Sequence, residues 1–198
     1  MKRITTCAAG VVVVLGLLAA PASAQVGKSI TIVDANAATE AQLTVMPGLN
    51  ATIAKAIVAR RPFADITTFD QFLTGQGLMR PQIDALYERV FVHLNLNTAT
   101  REQILLIPRA GNRMVREFQE YRPYVALAQF EREIRKYVDA TELARLEQYV
   151  FVPVKLNSAS DADILSIPGL GQRMLREFKE YRPYASIEQF RREIGKYV

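Results

Sequence analysis

Two rhythms of apolar residues recur along the chain. Short stretches alternate apolar with polar positions: ITIVDAN (30–36), VFVHLNLN (90–97) and VFVPVKLN (150–157). They read as brief extended connectors able to pair with one another. After each comes helical spacing: Leu43, Val45 and Met46; Ile104, Leu105 and Ile107; Ile164, Leu165 and Ile167. Thr39, Thr100 and Ser160 stand where a helix N-cap belongs, and Gln42, Gln103 and Asp163 follow three residues later, which predicts a capping box at the head of each run. Pro47, Pro108 and Pro168 stop the runs, because proline lacks the amide a helix interior needs and disfavours helix in the residue before it. A tight turn then leads to a second, strongly amphipathic helix. In RMLREFKEYRPY (173–184), Met174, Leu175, Phe178 and Tyr181 share one side and the charged residues the other. The predicted unit is two short helices joined by a glycine hairpin.

The unit occurs three times. Registered on Asn36, Asn97 and Asn157, the copies are 61 and 60 residues apart, and 25 of the 42 positions in 97–138 are identical in 157–198. The predicted fold class is therefore mainly α, with units at 29–93, 94–153 and 154–198 joined by the extended connectors. Unit two continues into KYVDATELARLEQYV (136–150), a predicted helix capped at Asp139 or Thr141. Unit three is shorter, and its apolar side, including Phe190, Ile194 and Val198, is expected to lean on unit two, on another protein or on a second copy. The absence of Gly- or Ser-rich linkers predicts a compact array.

The sequence of cap, apolar helix, PGLG-like turn and basic amphipathic helix resembles the helix-hairpin-helix family, specifically its ComEA-type competence DNA receptors, over nearly all of the chain after residue 30. The resemblance implies that hairpin amides hold a phosphate of double-stranded DNA without reading sequence, with a monovalent cation at the Gly169–Gly171 hairpin. Pro168-Gly169-Leu170-Gly171 is the best copy. Glycines there permit unusual backbone angles and close approach, and amides at a helix N-terminus favour an anion. Unit two has Pro108-Arg109-Ala110-Gly111-Asn112-Arg113, which loses the first glycine and gains a cation. Unit one has Pro47-Gly48-Leu49-Asn50, without the second glycine or a neighbouring arginine, and is read as structural. It alone keeps a trace of the family's second hairpin, Gly75-Gln76-Gly77-Leu78-Met79-Arg80, and it also resembles the PsbU family of photosystem II, an assembly part. The DNA-binding residues implied are Gly169, Leu170, Gly171, Arg173 and Arg176, with Arg109, Gly111 and Arg113 in unit two.

Charge changes this picture only modestly. The chain carries a net +5. Residues 25–198 carry 23 Lys and Arg against 20 Asp and Glu, an excess of +3 that rises from 0 (25–92) to +1 (93–152) and +2 (153–198). Four arginines have an acidic residue four positions on: Arg113 with Glu117, Arg116 with Glu120, Arg173 with Glu177 and Arg176 with Glu180. For Arg116 and Arg176 the expected state is a solvated, self-paired helix face. Arg113 and Arg173 adjoin the turns, where ion pairing and phosphate contact both remain open. Spacing assigns Phe118, Tyr121, Phe178 and Tyr181 to the core rather than to base stacking, and Tyr124 and Tyr184 to covering the helix ends. His93 is expected on the surface.

Lys2 and Arg3, the apolar stretch from Ala8 to Ala20, and Ala22-Ser23-Ala24 predict a secretory signal over 1–24 and a periplasmic or secreted protein. The apolar stretch falls short of the roughly 20 residues that span a bilayer, and no later segment is a membrane candidate. Cys7 departs with the signal, which removes disulfides, thiolate metal sites and thiol catalysis. With one histidine, no nucleotide-type phosphate loop and scattered carboxylates, the chain is not expected to be an enzyme. Two functions remain: an exported, sequence-independent DNA binder acting in DNA uptake, or a non-enzymatic interaction module of the cell envelope that has lost DNA binding.

Overall fold

A computed structural model of the chain describes residues 31–167 and 170–197. The predicted signal, 1–24, lies outside them, as do Pro168, Gly169 and Val198. The described residues are mainly helical. The first run is β1 (Val33–Asp34), α1 (Glu40–Thr44), α2 (Ala51–Arg60), α3 (Ile66–Gly75), α4 (Arg80–Tyr87) and β2 (Val90–Phe91). The next is β3 (Leu94–Asn95), α5 (Arg101–Leu105), α6 (Asn112–Glu120), α7 (Leu127–Ile134), α8 (Ala140–Glu147) and β4 (Val150–Phe151). The last is α9 (Asp161–Leu165), α10 (Gln172–Glu180) and α11 (Ile187–Ile194).

The three capping boxes form as the sequence predicts. Thr39, Thr100 and Ser160 each accept from the amide three residues on, and Gln42, Gln103 and Asp163 reach back to the cap amide. A cap of this kind is worth about 1 kcal/mol, which matters for helices of five residues that could not form alone. Asp139 caps α8 through the Glu142 amide, as one of the two predicted positions. The hairpin is not the whole unit, however. A third helix (α3, α7 or α11) follows each second helix, and α4 and α8 add a fourth in the first two runs.

The connectors do pair, in parallel and in a closed pattern. β1 pairs with β2 and β3 with β4, so each of the first two runs begins and ends on the same small sheet. The asparagines that register the copies have a structural task. Asn36, Asn97 and Asn157 each donate to and accept from the backbone of Phe63, Tyr124 and Tyr184, at 2.6–3.0 Å. Arg61 and Arg122 add a clamp, each donating Nε and Nη2 to carbonyls of Ala35 and Ala38, or of Leu96 and Ala99.

One continuous core runs from Ile32 to Val150, with Phe69, Phe91, Phe118 and Phe130 fully enclosed. Phe91 and Tyr149 meet edge to face at 5.0 Å, joining the first two runs through their aromatic closers. Each such ring contributes roughly 1.5–3 kcal/mol by burial. The last run has a separate, smaller core of Ile164, Leu175, Phe178 and Ile194. Phe118, Phe178, Tyr124 and Tyr184 are buried, in keeping with the core assignment, while Tyr121 and Tyr181 are half-buried.

Candidate nucleic-acid interface

The hairpin turns differ in what caps the helix that follows. In the first, Gly48 has φ +74°, and a side chain added there would sit 3.4 Å from Cβ of Gln82 on α4. Asn50 is the N-cap of α2, and its side chain accepts the Ile53 amide at 2.9 Å. That first turn caps itself. In the second, Gly111 is the N-cap of α6 at φ −99°, ψ 177°, with no side-chain cap and only open space around an added Cβ. The third shares the backbone and the lack of a side-chain cap, with Gly171 the N-cap of α10 at φ −113°, ψ 179°, but Gly171 is buried where Gly111 is exposed. The first amides of any helix have no intrahelical acceptor, and together with the helix dipole they attract an anion. α6 and α10 leave theirs uncapped by side chains.

Cations stand at the same two helix starts. Arg113 and Arg173 occupy the second helical position, Arg116 and Arg176 follow one turn on, and all four are exposed. The ion pairs expected for Arg116 and Arg176 are not there, and the question left open for Arg113 and Arg173 is answered in the same way: among the described residues, none of the four arginines closes on the carboxylate four positions on. Glu117 instead turns inward and is buried, facing Tyr137, whose phenol is pushed up by hydrogen bonds to Tyr121 and Glu117. Glu177, half-buried, faces Tyr197 in the same way. Arg113 lies over the Tyr137 ring at 5.4 Å and Arg173 over Tyr197 at 5.8 Å, which orients both guanidinium groups without neutralising them. Tyr137 and Tyr197 were missed by the sequence reading. Their signal was the KYV string repeated at 136–138 and 196–198.

Arg109, Gly111 and Arg113 share one turn, but Arg109 is set apart electrostatically. It stands between two clefts, of about 550 and 410 Å³, each lined by two arginines and two carboxylates: Arg80, Arg109, Asp84 and Glu88 on one side, Arg109, Arg145, Asp139 and Glu142 on the other. Arg145 is bound to Glu142, which is held below its usual range by that hydrogen bond. In the third turn, Leu170 packs its side chain against the smaller core, so it offers only backbone. Gly169 lies outside the described residues, and so does the cation position implied beside it.

His93 is a correction to the sequence reading. Its side chain is 14% exposed, and Nδ1 lies 2.9 Å from Oδ2 of Asp34, tying the β2–β3 junction to β1. Among the described residues no cluster of three His, Cys, Asp or Glu is placed to hold a metal ion, and no helix is long and apolar enough to cross a membrane.

A family profile described as the helix-hairpin-helix motif matches residues 28–83. This segment holds α1 to α3 and the first turn of α4 with two glycine turns, at Gly48 and Gly77 (φ +86°), so the motif is present in the part of the chain whose first turn caps itself. No curated protein and no solved structure matches the chain.

Proposed function

We propose that the protein binds the phosphate backbone of double-stranded DNA without reading sequence, through tandem helix-hairpin-helix units of which the second and third are the active ones. The observation that carries this reading is the paired chemistry at the starts of α6 and α10: a glycine N-cap with no competing side chain, beside an exposed arginine that makes no ion pair with the carboxylate four positions on. The helix-hairpin-helix motif at 28–83 supports nucleic-acid backbone binding as the general class. The first unit serves as a scaffold, its turn closed by Asn50. The protein acts after export, in the periplasm or outside the cell, as a non-enzymatic part of DNA uptake. A second reading, an envelope interaction module, is favoured by one observation: the carboxylates that line both clefts beside Arg109 offset its charge.

Fluorescence anisotropy of a labelled duplex of about 20 base pairs over a salt series tests the proposal. Two to four phosphate contacts give a slope of roughly −2 to −4 in log affinity against log salt, the same for duplexes of unrelated sequence. Absence of binding at low salt, or strong discrimination between sequences, would refute it.

A further inference from the structure

The two turns with a glycine N-cap share a set of side chains behind them. In the second run Tyr121 and Tyr137 meet hydroxyl to hydroxyl at 2.6 Å, and in the third Tyr181 and Tyr197 do so at 3.0 Å. Lys136 lies over the Tyr121 ring at 5.1 Å and Lys196 over the Tyr181 ring at 5.6 Å, and each lysine closes on the glutamate three residues before it, Glu133 or Glu193. The second tyrosine of each pair carries Arg113 or Arg173 over its ring, and its hydroxyl bonds Glu117 or Glu177. Glu117 is held inward at a cost, since its Oε2 is buried without a partner among the described residues. The first run, whose turn is capped by Asn50, has none of this set. Thr52, Ala56 and Arg60 stand at the positions of Arg113, Glu117 and Tyr121, and Gly75-Gln76-Gly77 fills the place of Lys136 and Tyr137. The set is thus present or absent as a whole, in step with the uncapped turn.

We propose that Tyr137 and Tyr197 are positioning residues of the phosphate site: each hydroxyl holds back the glutamate that would otherwise neutralise the arginine one turn before it, and each ring seats that arginine beside the helix start. The inference rests on the phosphate reading of the two turns. Arginine and glutamate four apart on one helix are natural partners, and a paired arginine has little charge left to offer a phosphate. A hydrogen bond from a half-buried phenol to a carboxylate outcompetes that exposed pair, which water and salt screen. The ring attracts the guanidinium without cancelling its charge.

Tyr137→Phe with Tyr197→Phe keeps the rings and removes the hydroxyls. With the whole chain and a labelled duplex of about 20 base pairs, anisotropy at low salt is expected to show affinity about fivefold lower, with a flatter salt slope. Adding Glu117→Gln and Glu177→Gln is expected to restore wild-type affinity or better, because the released side chains then carry no charge. A hydroxyl that only supported the fold would lower affinity equally with glutamate or glutamine at those positions, and melting curves would show the damage. Equal affinity of the phenylalanine pair and the wild type, or a loss that persists with the glutamines in a folded chain, would overturn the proposal. No binding by the wild type at low salt would instead overturn the phosphate reading on which it rests.

Discussion

Arg109 holds φ 63°, in the left-handed region where a side chain costs about 1–2 kcal/mol, at the place where Gly48 holds φ +74° in the first turn. The strain is not repaid by a clean ion pair, since Arg109 is exposed and shares its carboxylates with Arg80 and Arg145. Arg109→Gly is therefore expected to raise stability by roughly 0.5–1 kcal/mol in a denaturant titration, after allowing for the greater freedom of glycine in the unfolded chain. A loss of stability would mean that the charge among Glu142, Asp139 and Glu88 outweighs the backbone strain. Single residues of this kind were partly legible in the sequence. The missing glycine at 109 was evident, but the direction of Glu117 was not. Helical spacing allows a glutamate to bond an arginine one turn back, and only the tertiary placement of Tyr137 draws it inward.

Short elements here depend on what pins them, and β1 is pinned by Asp34. Its Oδ1 accepts the Asn36 amide at 2.6 Å, and its Oδ2 meets His93. Burial, the largest single influence, pushes its pKa up, but the bonds from His93 and the Asn36 amide outweigh it and hold the carboxyl below its ordinary value. A lowered folded pKa gives stability that is present above the unfolded value, near 3.9, and is lost as pH falls through the folded one. Asp34→Asn is thus expected to flatten the fall in melting temperature below about pH 4, while an unchanged profile would show that other carboxylates govern it. At this scale the capping boxes and α8 could be read directly, because caps are local. The third helices could not, although Leu127, Phe130 and Ile134 carry helical spacing, because Pro123 ends the second helix and nothing local shows that another follows at once. Parallel pairing across more than fifty residues leaves no local trace that fixes its partner.

Over the whole molecule, the repeat made the periodic framework legible: registration on Asn36, Asn97 and Asn157 located an asparagine lock whose role appears only once Phe63, Tyr124 and Tyr184 are seen across from it. The division into one extended core and one small core was not legible, since near-identical sequences at 97–138 and 157–198 differ in what covers them. The same logic separates the candidate turns. They share a fold position, and the identity of one N-cap residue decides whether a helix start is satisfied internally or left for an anion. The most direct test replaces Gly111 and Gly171 together by Asn, giving α6 and α10 the cap that Asn50 gives α2, and measures duplex affinity over a salt series beside the melting temperature. The account predicts affinity lowered about tenfold or more and a flatter salt slope, with the cost in stability confined to the buried Gly171 and none at the exposed Gly111. Unchanged affinity and slope in the folded double variant would contradict it.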